Sequence, residues 1–315
     1  RADAGFDRVR LRHRALPGRD LGDVGLDADL LGLRLDAPVI LSAMTGGSEA
    51  SRAVNVQLLE AAEAHGTAMI LGSSRALVDD PSLVPTYLPV AARPPLLLAN
   101  LGASHLVQGL EPAEAERVVE LLGADGLAIY LNPLQEAIQP EGHPELAGAV
   151  EAIAELVDRL APLPVVVKEI GFGLDRADVE QLAAVGVAAV DVAGAGGTNW
   201  ALVEGLRDDG AGAVAAPFAD WGTPTVDALR EAVAAVGLAL PVIASGGVRD
   251  GVDVARCLAL GAAAVGIARP MLLAARAERA VDALGVLIEQ LRIATWCAGA
   301  PSAAALGGEH LHPTA

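Results

Sequence analysis

One lysine stands among the basic residues of this chain. The 22 Lys and Arg are 21 arginines and Lys168, which ends the apolar run Val165-Val166-Val167. An ammonium differs from a guanidinium fork in reach and in its ability to give up a proton. A lysine kept at a strand end in so arginine-rich a chain therefore points to a site rather than to a tolerant surface. Asparagine is equally scarce: of four, Asn100 and Asn132 also end apolar runs, and Asn199 follows Gly196-Gly197-Thr198. Buried amides need partners, and a bound polar ligand is a natural one. Two glycine-rich segments, Gly194–Thr198 and Ser245–Arg249, offer backbone N–H groups together with a hydroxyl or a guanidinium. Jointly they read as a phosphate anchor; each alone would equally be a tight strand-to-helix turn.

Eight short apolar runs position these residues: Val39–Leu41, Ala68–Leu71, Leu96–Ala99, Leu127–Leu131, Val165–Val167, Ala189–Val192, Val242–Ala244 and Ala264–Ile267. None alternates with period two, as expected for parallel strands covered on both faces. Helical patterns lie between them. Val150, Ile153, Leu156, Val157 and Leu160 make one apolar face, and Thr223-Pro224 through Gly237 carries start and stop signals. Eight strand–helix units without a linker predict an α/β fold, a single-domain (β/α)8 TIM barrel over residues 38–305, rather than a doubly wound sheet. Residues 1–37 would be an N-terminal extension and 306–315 a solvated tail holding His310 and His312. Arg8, Arg10, Arg12 and Arg14, alternating with Val9, Leu11 and His13, read as an edge ribbon with charges outward. The longest interval between runs, from the sixth to the seventh, holds Phe218–Gly222, a candidate lid.

Barrel sites lie at the C-terminal ends of the strands. There the chain places Ser42-Ala43-Met44-Thr45, Gly72-Ser73-Ser74-Arg75, Asn100, Tyr130 with Asn132, Gln135 and Glu136, Lys168-Glu169, Asp191, Thr198, Ser245 with Gly247 and Arg249, and Ala268. No nucleophilic triad emerges. His65, His105 and His143 read as surface or capping residues. Cys257 and Cys297 have no metal-ligand spacing and call for no oxidising compartment.

The formal charge is −18 and 53 % of residues are hydrophobic. Such a field repels nucleic acid and anionic membranes, so a phosphate ligand needs a local site. The longest uncharged run, Ala232–Val248, is split by Gly237 and Pro241 and is no membrane span. The first residues carry charge where a secretory signal would be apolar, and the lack of an initiator Met reads as a natural N-terminus lying outside the chain. A cytoplasmic protein is expected.

Taken together these residues resemble the FMN-dependent type 2 isopentenyl diphosphate isomerases. The segments that carry the likeness are Ser42–Gly47, Gly72–Arg75, Ala99–Gly102, Leu131–Gly142, Lys168–Gly173, Asp191–Trp200, Phe218–Gly222 and Ala244–Arg249, in family order from about residue 6 to 305. Leu131-Asn132-Pro133-Leu134-Gln135-Glu136 is the most specific; the Ser-Gly-Gly and Lys-Glu segments are shared with other FMN barrels. The resemblance implies that Met44, Thr45, Ser73, Asn100 and Lys168 line the isoalloxazine ring, and that Thr198, Gly247, Arg249 and Ala268 hold the FMN phosphate. It puts Gln135 against the isoprene unit, with Tyr130 and Lys168 beside it in the catalytic set. Arg75 and Asn132 would hold the diphosphate, Trp200 would line the substrate, and Glu136 would help bind Mg2+. NADPH would reduce the flavin, and the chain would assemble as a homotetramer or octamer. The implied reaction is redox-neutral: a proton moves through N5 of reduced FMN as isopentenyl becomes dimethylallyl diphosphate by way of a cation-like state.

Three departures stand out. Tyr130 occupies the family's usual His position, and a phenol offers no cation to a diphosphate at neutral pH. Ser74 replaces a Gln. An N-terminal Arg-Lys-x-x-His segment of the family does not occur in this sequence. These leave three other readings open: a diverged reduced-flavin enzyme that isomerises or cyclises a larger prenyl or polyene substrate, an FMN-dependent oxidoreductase, and a non-catalytic flavin-binding protein.

Overall fold

The computed structural model describes residues 2–207 and 210–313. All eight apolar runs form strands. β1 (Ala28–Leu30) and β2 (Leu33–Leu35) make an antiparallel hairpin. β3 (Val39–Leu41), β4 (Ala68–Ile70), β5 (Leu96–Gly102), β6 (Gly126–Tyr130), β7 (Val165–Lys168), β8 (Ala189–Asp191), β9 (Val242–Ala244) and β10 (Ala264–Ile267) follow. These eight pair in parallel in sequence order, and β10 closes on β3. The outcome is the expected (β/α)8 barrel, with helices packed on its outside.

The period-two alternation of a strand sorts its side chains into barrel interior and helix-facing sets. Ile40, Ile70, Leu98, Ala128, Val166, Ala189, Ile243 and Ala264 belong to one buried apolar cluster, the interior. Leu30, Leu33 and Leu35 of the hairpin pack into the same cluster, so the hairpin plugs the N-terminal end of the barrel. Its two-residue turn has Leu31 and Gly32 at φ 53° and 80°, the twist that suits tight hairpins. One inward step further along each strand lie Ser42, Gly72, Asn100, Tyr130, Lys168, Asp191, Ser245 and Gly266. Six of these eight positions are polar. The barrel therefore ends, at its C-terminal mouth, in a polar layer laid on an apolar one.

The ribbon expected near residues 8–14 is reduced to a single antiparallel bridge between Leu11 and Leu311. It is flanked by bonds from Arg12 N to His310 O (2.8 Å) and from His312 N to Arg10 O (2.9 Å). The terminal segment is thus packed on the body. His310 is largely covered, and its Nδ1 accepts from Gly307 N at 3.1 Å, so it is not the solvated residue its position suggested. The long excursion after β8 folds into the helices Trp200–Glu204 and Ala211–Ala215 and a 3-10 turn Ala216–Phe218. Ala201 and Ala215 join Ile138 and Phe172 in a satellite cluster with Trp200 and Phe218 against it, so this segment covers the β6 and β7 loops. Among the described residues, no helix is long and apolar enough to cross a membrane.

Candidate active site

The polar layer is incompletely satisfied. Ser42 Oγ, Asn100 Oδ1, Asn132 Oδ1 and Asp191 Oδ2 are buried with no hydrogen-bond partner among the described residues. Lys168 is 6 % exposed, and among the described residues its ammonium donates to the carbonyl of Glu169. Its register neighbour on β8 is Asp191. Asp191 is fully buried; it accepts from Ser245 Oγ (2.7 Å) and Ala193 N (3.1 Å). Burial pushes this carboxyl up, opposed by Lys168 and the two donors. Orphaned buried donors and acceptors cost about 1–3 kcal/mol each. Several together on one floor fit a flat ligand bearing alternating polar atoms.

Phosphate capacity lies beside this floor. The backbone N–H groups of Gly196, Gly197, Thr198, Gly246, Gly247 and Val248 have no acceptor among the described residues. The two loops meet backbone to backbone, since a Cβ on Gly197 would stand 2.7 Å from Gly247 N. Two adjoining rows of unsatisfied amides are an anion cradle. Arg249 is exposed at its rim and shares Asp253 (3.4 Å) with Arg256 (2.7 Å). Ala268 immediately precedes the helix Arg269–Arg276. Floor and cradle together fit a flavin mononucleotide.

The β4–β6 side of the mouth is a chain of side chains. Tyr130 OH lies 3.3 Å from Ser73 Oγ, and burial, with Glu136 nearby, holds its phenol above the usual range despite that bond. Arg75 pairs with Asp79 at 2.8 Å. Glu136 is 5 % exposed. Its Oε1 accepts from Asn132 Nδ2 (2.9 Å) and Ser104 Oγ (3.1 Å), its Oε2 from Gln139 Nε2 (3.0 Å) and His143 N (2.7 Å). Burial pushes its pKa up, but these four donors outweigh it and hold the carboxyl below the ordinary value. Every strong acceptor position is filled, so a metal ion would have to displace one of them. No group of three or more His, Cys, Asp or Glu side chains among the described residues could hold a metal.

Gln135 Nε2 donates to Glu204 Oε1 at 2.7 Å, and Glu204 is 6 % exposed. Glu204 went unnoticed in the sequence because it arrives from the excursion after β8, 69 residues away. Trp200, on the same helix, is half-buried against the cluster that holds Ile138, Phe172 and Ala215. Asn199 is no orphan: its Oδ1 caps that helix through Leu202 N, and its Nδ2 donates to Phe218 O (2.9 Å). Thr45 is tied back to the helix Glu49–Ala64 by its bond to Asn55 (3.0 Å), and Met44 lies half-buried beside it. Glu169 points away from the mouth. Its Oε2 gathers the N–H groups of Gly171, Phe172 and Gly173, and burial lifts its pKa to about 7 against them. It borders an outer groove of about 650 Å³ between the helices Ala149–Leu160 and Arg176–Ala184, away from the polar floor.

This geometry can be set beside known proteins. The FMN-dependent dehydrogenase family matches residues 131–313. An isopentenyl-diphosphate delta-isomerase of Xanthobacter autotrophicus is 49 % identical over 97 % of this chain and 90 % of its own length. Another, from Methanothermobacter thermautotrophicus, is 43 % identical over 95 % and 84 %. The chain belongs to the isopentenyl-diphosphate delta-isomerase family. Among solved structures, a mandelate oxidase variant with an FMN adduct aligns with TM-score 0.67 at 21 % identity, over 98 % of this chain and 89 % of that one. A flavocytochrome b2 variant aligns with TM-score 0.69 at 19 % identity, over 98 % and 77 %. These two likenesses concern the fold.

Proposed function

We propose that this chain interconverts isopentenyl and dimethylallyl diphosphate, with FMN bound across the polar floor. The observation that carries the proposal is the buried Lys168 among unsatisfied polar atoms at the C-terminal mouth of the barrel. Met44, Thr45, Ser73, Asn100 and Lys168 would hold the ring; Thr198, Gly247, Arg249 and Ala268 would hold the phosphate. When bound, reduced FMN would supply an electron-rich face that stabilises a cation-like carbon skeleton.

The isomerisation adds one proton at the terminal methylene carbon and removes one from the internal methylene, with no net electron change. Glu204, which accepts from Gln135 Nε2 (2.7 Å) and from Arg207 (3.2 Å), is the carboxylate that would exchange a proton with the substrate, and Gln135 orients it. Arg75 and Asn132 bind the diphosphate. Trp200 and its satellite cluster exclude water, so the carbon skeleton is not trapped as an alcohol. NADPH as reductant, Mg2+ accompanying the diphosphate, and a homotetramer or octamer belong to the same proposal. The two free cysteines suit a cytoplasmic setting. Because Glu136 is saturated by four donors, no step is assigned to a metal.

Anaerobic incubation with FMN, NADPH, Mg2+ and isopentenyl diphosphate should yield dimethylallyl diphosphate, with little formed in air. Absence of product under both conditions refutes the proposal. Tyr130 favours a second reading, a larger prenyl substrate; turnover of long prenyl chains alone would establish it.

A further inference from the structure

Tyr130 leaves the mouth without an imidazole at its own position, but one stands beside it. His105, on the short helix Ala103–Val107 after β5, meets the Tyr130 ring edge to face, with centroids 6.4 Å apart and planes at 88°. Its Nδ1 is buried without a partner. Its Nε2 also lacks a partner among the described residues but is not among the buried orphans, so it reaches solvent. A buried N–H with no acceptor costs more than a buried lone pair, so the neutral ring carries its proton on Nε2, outward. Arg75 from the β4 loop, Glu136 from the β6 helix, and His143 are the charged or titratable groups that act on it, with Tyr130 against its face. Burial, followed by Arg75, keeps its pKa below the usual value, so at neutral pH it serves as a fixed neutral donor.

We propose that His105 binds the substrate's diphosphate, donating from Nε2 alongside Arg75 and so supplying the contact that Tyr130 cannot. This deepens the function proposed above and rests on it. A diphosphate oxygen is an ionised acceptor, and hydrogen bonds to charged groups are among the stronger ones. Removing it should raise KM or Kd about tenfold or more.

Steady-state kinetics of the FMN-loaded enzyme with isopentenyl diphosphate, and calorimetric binding of inorganic pyrophosphate, test this together. His105→Ala should raise KM and the pyrophosphate Kd by about tenfold while kcat stays within about twofold. His105→Gln, which keeps an N–H donor, should recover most of the loss. The double variant His105→Ala/Tyr130→His should recover it as well, by moving the imidazole across the ring contact. A merely structural His105 would be rescued by neither. Unchanged KM and Kd in His105→Ala overturn the proposal. If the parent binds pyrophosphate through His105 yet does not isomerise, the anion site stands and the assigned reaction falls.

Discussion

Replacing Glu136 by Gln isolates what its carboxylate does. The substitution keeps shape and volume but exchanges one oxygen for an NH2. Of the four donors converging on Glu136, two would then face another donor. Each buried donor so stranded costs about 1–3 kcal/mol; the lower half of that range suits the pair on the more open His143 side, giving about 3 kcal/mol. For a barrel of this size that is about 4–5 °C in Tm. The sign with pH follows from the depressed folded-state pKa. The carboxylate's contribution is fully present above its ordinary value of 4.5 and is lost as pH falls through the lower, folded value. Thermal unfolding of parent and Glu136→Gln should therefore differ by a constant gap from pH 8 to about 5. The gap should close in more acid buffer. Mg2+ should leave it unchanged if Glu136 is a clamp on the β6 loop. A gap below about 0.5 kcal/mol at neutral pH, or one that persists undiminished in acid, refutes the clamp. Mg2+ stabilising the parent alone would make Glu136 a ligand instead.

Lys168→Ala should weaken FMN binding by about tenfold and make the bound flavin harder to reduce, because the chain's one buried ammonium is lost; unchanged affinity and potential would remove Lys168 from the site. Glu204→Gln preserves an acceptor for Gln135 but cannot carry a proton in the same way, so kcat should fall about 100-fold or more with KM little altered, measured in single-turnover and steady-state assays. Gly197→Ala forces the two phosphate-side loops apart, since its Cβ would lie 2.7 Å from Gly247 N. FMN affinity by fluorescence titration should drop while Gly22→Ala, with nothing within 4 Å of its Cβ, leaves it intact.

The strands were legible because a doubly covered parallel strand must be an uninterrupted apolar run, and each run's next inward residue then had to face the mouth. Lys168, Asn100 and Tyr130 could be placed by that step alone. Glu204 could not, because its partner Gln135 lies across a long excursion whose path no local pattern fixes. Asn199 did carry a signal: an Asn just before a helical segment is a preferred cap, and that use competes with ligand binding. His105 carried none, because its meaning depends on the orphaned Nδ1 and on Tyr130, both products of tertiary packing. The hairpin of β1 and β2 was missed because its leucines suit any edge strand. Only the barrel's need for a plug explains why they are buried.

An acidic chain that binds anions must keep its few cations ready without leaving them bare. Arg75 is held by Asp79 four residues away, in a pair whose side chains are 37 % and 72 % exposed. Such a surface pair contributes only about 0–1 kcal/mol, so it yields readily to an incoming anion. Arg249 is held similarly by Asp253, except that Asp253 is itself buried and keeps Arg256 when Arg249 leaves, so no carboxylate is stranded. Lys168 differs from both. No carboxylate lies within 4.0 Å of it among the described residues, and its counter-charge, Asp191, is its strand neighbour within the floor. Arg75 can therefore exchange partners as an anion comes and goes, while the buried lysine is fixed by the barrel. That division is what a site needs if it must release a diphosphate product at every turnover and retain its flavin.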